Sequence, residues 1–359
     1  MGRRLLKGLL ALLLLLAVAV AAGLWWLGTE QGLRQVVARA QAALEGSGQT
    51  LVLEGVSGGL YRGVRVERFE WRGDGMSAGG TGLVARWSLA GLLQRHLRVP
   101  ELAAQTLAIR LAPPEEPAPP REPTPMPGPI ELPITLAVER LAVGELRITP
   151  GAPPQAAEPP DDIVLTDIAA RLAYQRGTFR IEDLHVGTPY GELANAQARF
   201  GAAPPHPIAL TASFAGASAD IPYELALDGQ GDLERLEARV TGTVAQAPVD
   251  AVATLAPLAV MPLDALRAEV ARLDLRQLAA AAPTTVLDLR LEVAPRAGGD
   301  DWGGTIALRN EMPGALGDGR LPLESLDSRI LVAAAQDPVA RVLRLDDLAI
   351  TLPGTAPDT

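Results

Sequence analysis

The sequence predicts a mainly β protein: an elongated, curled, mostly antiparallel sheet with one N-terminal transmembrane helix and a few short helices. Three observations predict it. The first is a 21-residue run without charge, Gly8 to Gly28. The second is the abundance of turn formers, 36 Gly and 31 Pro among 359 residues, which suits many turns between strands better than long helices. The third is a recurring eight-residue pattern in which two apolar pairs flank two polar residues.

The N-terminal run, "GLLALLLLLAVAVAAGLWWLG", has the length that crosses a bilayer as a helix, about 20 apolar residues. Arg3, Arg4 and Lys7 precede it, and the positive-inside rule puts that end in the cytoplasm. Trp25 and Trp26 close the far end, where indole rings favour the headgroup boundary. The stretch "AVAVAAG" also fits a signal-peptide cleavage site. The apolar run is longer than a typical signal core and continues through Leu24 to Leu27, so the reading is an uncleaved anchor. Residues 1–7 are then a cytoplasmic stub, 8–28 the membrane anchor, and the rest lies outside the cytoplasm.

Residues 29–111 are expected to hold a helix and a first β unit. Thr29 can cap a helix with Glu30 in its first turn. Leu33, Val36, Val37, Ala40 and Leu44 form its apolar stripe. "LVLEGVSGGLYRGVRVERFEW" reads as strand, Gly-rich turn, strand. "WSLAGLLQRHL", Trp87 to Leu97, reads as a short amphipathic helix. Residues 112–133 form a linker in which ten of 22 positions are proline, so an extended or disordered chain is expected. A shorter Pro-rich loop covers Pro150 to Asp162. Residues 134–359 read as strand upon strand. "DLRQLAAAAP" is a possible helical break, and "PLDALRAEVARL" is ambiguous between helix and strand.

The eight-residue pattern appears as "VRVERFEW" from Val64, "LAAQTLAI" from Leu102, "LAVERLAV" from Leu136 and "IVLTDIAA" from Ile163. It returns as "FRIEDLHV" from Phe179 and "LRLDDLAI" from Leu343, with a looser copy, "AEVARLDL", from Ala268. At 48% apolar residues, such a binary pattern arises by chance roughly five times in a chain of this length, so residue identities carry more weight than the pattern itself. A regular strand would put Phe179 and Leu184 on opposite faces, because their separation is odd. An extra residue at the polar pair, as in a β-bulge, keeps both apolar pairs on one face and bends the strand. The irregular spacing of the copies argues against a fixed-period solenoid. The resulting aliphatic face needs a cover: a second sheet, closure into a barrel, or an apolar client.

Composition excludes several function classes. The net charge is −10 and aromatics are 4%, so neither a basic nucleic-acid surface nor a base-stacking platform is expected. There are no cysteines, hence no disulfide framework or thiolate chemistry. His96, His185 and His206 stand apart in sequence, without metal-ligand spacing. Asp161-Asp162, Asp300-Asp301 and Asp346-Asp347 are acidic pairs, and "GGDDWGG" lacks the alternating ligands of a calcium loop. No Gly-Lys-Ser/Thr phosphate loop occurs. No enzyme activity, no cofactor and no metal is expected.

The sequence resembles the AsmA-like superfamily, most closely the N-terminal region of the TamB family, the inner-membrane component of the translocation and assembly module. The likeness rests on the anchor running into "GTEQGLRQVV", on "LEGVSGGLYRGVRVERFEW", on "VARWSLAGLLQRHLRVPELAAQTLAI" and on "ELPITLAVERLAVGELRI". "GGTIALRNEMPGALGDGRLPLESL", Gly303 to Leu326, also resembles a recurring segment of the family. The resemblance implies a β-taco or repeating groove in the periplasm of a diderm bacterium. The groove would hold or conduct phospholipid between the inner and outer membranes for envelope biogenesis. The alternative is an assembly factor for outer-membrane or autotransported proteins, acting with a BamA-like (TamA-type) barrel. Family members are usually several times longer, so this chain is either a fragment, with the repeating region 134–359 truncated at its C-terminus, or a shortened protein that does not itself reach the outer membrane; the barrel contact requires a longer C-terminal region. Half the residues in strands of about six would give roughly 25 to 30 strands at most.

The candidate groove lining is Val64, Val66, Phe69 and Trp71; Leu136, Val138, Leu141 and Val143; Phe179, Ile181, Leu184 and Val186; and Leu343, Leu345, Leu348 and Ile350. Their expected role is apolar contact with acyl chains, and their alternative role is ordinary packing in a closed β-sandwich. Arg3, Arg4, Lys7, Trp25 and Trp26 are the expected membrane-interface residues.

Overall fold

The structure, a computed structural model, describes residues 30–45, 48–59, 61, 63–73, 75–112, 123–151, 161–218, 221–259, 262–279, 281–296, 302–334 and 341–353. The expected anchor 8–28, the expected interface residues Arg3, Arg4, Lys7, Trp25 and Trp26, and the expected Thr29 cap lie outside the described residues. Among the described residues, no helix is long and apolar enough to cross a membrane.

The chain forms two compact units. One comprises Met1–Ala118 and Pro133–Gln175, the other Pro119–Leu132 and Arg176–Thr359. The division thus falls after Gln175, and most of the Pro-rich segment belongs to the second unit.

In the first unit, helix α1 (Glu30–Glu45) lies against strands β1 (Thr50–Glu54) and β2 (Ser57–Gly59). Leu33 is buried, and Val37 and Leu44 are half-buried, as the helical stripe requires. The side chains of Val36 and Ala40 are outside the described set. Gln41 fixes the helix by donating its Nε2 to the Leu51 carbonyl at 3.0 Å. The sheet continues through β3 (Gly63–Gly73), β4 (Met76–Ser88), β5 (His96–Leu111), β6 (Thr135–Thr149) and β7 (Ile163–Gln175). Strands β1 and β2 both pair with β3, and the order then follows the chain.

One pair breaks the antiparallel pattern: β5 and β6 are parallel, with His96 opposite Thr135 and Arg110 opposite Thr149. A parallel pair cannot be closed by a hairpin. The chain must return the full length of a 16-residue strand, and the Pro-rich segment makes that return.

The predicted helix at Trp87–Leu97 is corrected. Trp87 and Ser88 finish β4, His96 and Leu97 begin β5, and only Leu92–Gln94 form a single 3₁₀ turn. Arg95, at φ 57° and ψ 35°, swings the chain back into the sheet. The apolar spacing that imitates a helix is a strand end, a turn and a strand start.

The second unit is a meander of antiparallel neighbours. Its strands are β8 (Thr178–Thr188), β9 (Gly191–Gly201), β10 (Ile208–Ser218), β11 (Ile221–Gly231), β12 (Leu236–Val244) and β13 (Ala247–Leu255). They continue with β14 (Leu263–Leu273), β15 (Leu287–Pro295), β16 (Trp302–Asn310), β17 (Ser325–Ala334) and β18 (Arg341–Thr351). The ambiguous segment "PLDALRAEVARL" is strand β14, and "DLRQLAAAAP" holds only a 3₁₀ turn at Leu275–Gln277. Among the described residues there are 18 strands, fewer than the estimate from six-residue strands, because most run nine to sixteen residues.

Residues 123–132 of the predicted linker are extended but docked. The Thr124 amide donates to the Leu258 carbonyl at 2.8 Å, and the Ile130 amide donates to the Ala202 carbonyl at 2.8 Å.

Candidate functional site

The polar pairs of the repeat sit in bulges, and this decides where the apolar side chains go. In β8, Ile181 faces Ala198 and Leu184 faces Ala196, so one extra residue is accommodated at Glu182-Asp183. Asp183 takes the left-handed conformation, φ 52°, which Asp tolerates better than most residues. Both acidic side chains are exposed, whereas Phe179, Ile181, Leu184 and Val186 are half-buried. Strand β6 does the same at Glu139-Arg140, between Val138 and Leu141. Strand β14 does so next to Arg272, φ 54°, and β18 next to Asp347, φ 52°. In β3, Glu67 and Arg68 are both exposed between half-buried Val66 and Phe69, opposite Gly82 at φ 62°.

Directly paired residues in adjacent strands point to the same face, so the register reads out that face as rows. One row crosses all eleven strands of the second unit: Ile181, Ala198, Leu210, Gly229, Ala238, Ala253, Leu266, Val293, Gly304, Ile330 and Leu345. A second row runs parallel: Val186, Leu193, Phe214, Leu225, Gly242, Val249, Val270, Leu289, Leu308, Leu326 and Ile350. Between them lie Ala212, Leu227, Val240, Ala251, Ala268, Leu291 and Ile306. No position of these rows is charged. Ten strand spacings of ~4.8 Å make each full row about 48 Å long.

The first unit has the same construction. Leu53, Phe69, Gly80, Leu107, Leu146 and Leu165 form one row, and Leu51, Trp71, Ala78, Ile109, Ile148 and Ile163 form the next. Glycines in the rows are places where neighbours close over the backbone. A Cβ on Gly80 would lie 2.6 Å from Phe69 Cε1 and 2.8 Å from Leu107 Cδ2. A Cβ on Gly229 would lie 2.8 Å from Leu210 Cγ.

The candidate lining residues therefore share faces within their units. Val64, Val66, Phe69 and Trp71 are half-buried, as are Leu136 and Leu141, while Val138 and Val143 are buried. Leu345, Leu348 and Ile350 on β18 are 48%, 50% and 53% exposed. Leu343, also on β18, stands opposite Val332 of β17, with its side chain outside the described set. Most of the row residues are half-buried, whereas the inner faces of a sandwich are covered by a second sheet. The candidate lining includes none of the row residues on β10 to β17. Their signal was plain alternation, as in Ile208, Leu210, Ala212 and Phe214, without the polar pair that drew attention elsewhere.

The opposite face is polar and ion-paired. Glu269 accepts from Arg267 at 2.8 Å and from Arg290 at 3.0 Å, which holds its carboxyl below the ordinary range. Arg329 pairs with Asp347 at 3.2 Å. Asp162 accepts from the Thr149 hydroxyl at 2.7 Å and from Arg147 at 3.3 Å, and its carboxyl also lies below the ordinary range, the Thr149 bond being the first cause. Asp162 and Asp347 of the acidic pairs thus find local partners; Asp300 and Asp301 are outside the described residues. His185 lies 3.3 Å from Glu192, and His96 begins strand β5 instead of sitting in a helix. Among the described residues, no group of three potential metal ligands converges.

At one end of the second unit, the turns are tied by buried polar groups. The Thr285 hydroxyl donates to the Leu273 carbonyl at 3.2 Å and accepts from the Leu275 amide at 2.9 Å. Asn310 donates to the Leu321 carbonyl at 3.3 Å and accepts from the Met312 amide at 3.1 Å. Asn310 belongs to the Gly303–Leu326 segment, and its role here is to close the β16–β17 connection.

Fold and site together define a class: long bulged β-meanders with one continuous apolar face and one charged face. Within that class, residues 16–151 match the family model described as TamB, N-terminal domain. The match covers the C-terminal part of the uncharged run 8–28, the first β unit and strand β6, which carry most of the resemblance; the Gly303–Leu326 segment lies outside it. No curated protein and no solved structure matches the chain.

Proposed function

We propose that this is an envelope protein of the TamB/AsmA-like type that holds or conducts phospholipid along its apolar β face between the inner and outer membranes. In this reading the uncharged run 8–28 anchors the chain in the inner membrane and the described units lie in the periplasm. Acyl chains supply the cover that the half-buried face requires. The single observation that carries the reading is the pair of eleven-strand rows without a charged position. Burying a chain of methylenes against such a row is favourable by about 0.8 kcal/mol per CH₂, and an aliphatic surface without hydrogen-bonding side chains does not select one headgroup.

A photo-crosslinking residue at Leu225, with a control at Glu224 on the other face, tests it in cells. Leu225 is half-buried and Glu224 exposed. Phospholipid attached at Leu225 and not at Glu224 is the expected result. No lipid at either position, with Leu225 shielded from solvent probes, contradicts it.

A second reading is assembly of outer-membrane or autotransported proteins with a BamA-like barrel. It draws on β18, whose Leu345, Leu348, Ile350 and neighbouring Leu352 are all exposed, a surface suited to an added client strand. A crosslinker at Leu348 that captures polypeptide instead of lipid favours it.

A further inference from the structure

The Pro-rich strap, residues 123–132, crosses the second unit at one rim. The turns β9–β10, β11–β12 and β13–β14 all lie at that rim, since the chain reverses at each strand. The strap is fastened at both ends of the stretch: Ile130 to Ala202 in the first of these turns, and Thr124 to Leu258 in the last. Six residue steps of polyproline-like chain at ~3.1 Å span about 19 Å. Four strand spacings at ~4.8 Å also come to about 19 Å. The strap is therefore matched in length to the rim it crosses.

Its midpoint is pinned by His206. This side chain is fully buried. Its Nδ1 lies 2.9 Å from the Gly201 carbonyl oxygen, and its Nε2 lies 3.0 Å from the Pro127 carbonyl oxygen. A carbonyl oxygen only accepts. A neutral imidazole has one donor and one acceptor, whereas the doubly protonated ring has two donors. Both contacts are hydrogen bonds only when both nitrogens carry protons. The ring also stacks on Phe200, at 5.3 Å between centroids, and Phe200 pairs with Phe179 and Ile208 on the apolar face. The pin thus stands at the border of that face.

We propose that the strap is a protonation-controlled latch: with His206 doubly protonated it is fastened along the rim, and loss of one ring proton releases the Pro127 side. The bond to Gly201 stays, because it is local to the same turn, five residues away. The charged groups on the elements around the ring are Glu131 of the strap, Arg176 of the β7–β8 turn, and Asp232, Glu234 and Arg235 of the β11–β12 turn. Asp232 is engaged by the amides of Glu234 and Arg235 at 2.8 and 3.0 Å, and Arg235 lies 3.9 Å from Asp264. Both ring nitrogens face carbonyl oxygens, so the second proton is the element that changes the bonding. The inference does not depend on what the apolar face carries.

The test uses the full chain with ¹⁵N-labelled histidine, between pH 5 and 8, where histidines in general change charge. The ring signals report the protonation of His206, identified by elimination once His96→Gln and His185→Gln have assigned the other two histidines. Hydrogen exchange of the Ile130 and Thr124 amides, corrected for intrinsic pH dependence, reports the strap. The expected result is that protection falls by roughly three- to tenfold, the range for one hydrogen bond, in step with loss of the second ring proton. His206→Asn keeps a residue that tolerates the left-handed φ of 59° and is expected to show low, pH-independent protection. A ring that is neutral across the range while the strap stays protected overturns the latch. So does protection that ignores the ring's titration. Both of these readouts are made on the unmutated chain, so they hold even if the variant does not fold.

Discussion

Phe200 and His206 stack ring on ring, with centroids 5.3 Å apart and planes 9° from parallel. Phe200 also lies 6.4 Å from Phe179 across the β8–β9 pair. One side chain therefore joins the apolar face to the rim. Phe200→Leu keeps the apolar volume but removes the plane on which the imidazole rests. Its expected effect is loss of strap protection at Ile130 with little change in global stability, measured by hydrogen exchange beside a urea melt.

Gly80 is where Phe69 and Leu107 approach each other over the backbone. A side chain there meets both of them and the Thr106 carbonyl oxygen, 2.5 Å from the added Cβ. Gly80→Val is expected to destabilise the first unit by about 1–3 kcal/mol, the usual cost of overpacking. A urea midpoint that does not move contradicts the packing described for this row.

Asp274 caps the 3₁₀ turn at Leu275–Gln277. Its carboxyl lies below the ordinary range, first because of the Arg276 side chain and also because the Arg276 and Thr285 amides donate to it. A depressed folded value means stabilisation that is present above the unfolded carboxylate range and lost as pH falls through the folded value. Asp274→Ala is expected to cost about 1 kcal/mol near neutral pH, a typical cap loss. The gap should close in strongly acidic solution, as followed by denaturant melts across pH.

Thr285 is 1% exposed and its hydroxyl links Leu273 to Leu275. Thr285→Val keeps the shape and leaves a buried carbonyl and amide without this partner. A loss of about 1–3 kcal/mol is expected, with Thr285→Ser recovering most of it in the same melt.

The bulge residue Asp183 sits at φ 52°. A β-branched residue there is strained, by about 1–2 kcal/mol, whereas Asn fits. Asp183→Val is expected to lower the melting temperature and Asp183→Asn to leave it nearly unchanged. Equal behaviour of the two variants contradicts the bulge.

The strand faces were legible because the polar pairs mark their own bulges. Glu182-Asp183 and Glu139-Arg140 carry the odd residue and point outward, so the flanking apolar pairs identify one face. The turn at Trp87–Leu97 was not legible. Leu89, Leu92, Leu93 and Leu97 are spaced as in a helix, but Ser88 pairs with Arg98 across the sheet, and a close pairing leaves room for only one turn. The parallel β5–β6 pair was hidden as well, since strand direction leaves no trace in an alternating pattern. Proline content revealed the strap's extension but not its docking. Its pin, His206, is 79 residues away from Pro127 and has no signal of its own in the sequence.

On the proposed reading, the apolar rows hold acyl chains. That reading is tested most directly by extracting and counting the phospholipid that co-purifies with the full chain. The comparison is between the unmutated protein, Leu291→Asp in the middle of the apolar face, and Arg290→Gln on the opposite face, where Arg290 meets Glu269. Bound phospholipid is expected in the unmutated protein and in Arg290→Gln, with a severalfold loss in a folded Leu291→Asp. Equal phospholipid in all three, or none in the unmutated protein, would contradict it.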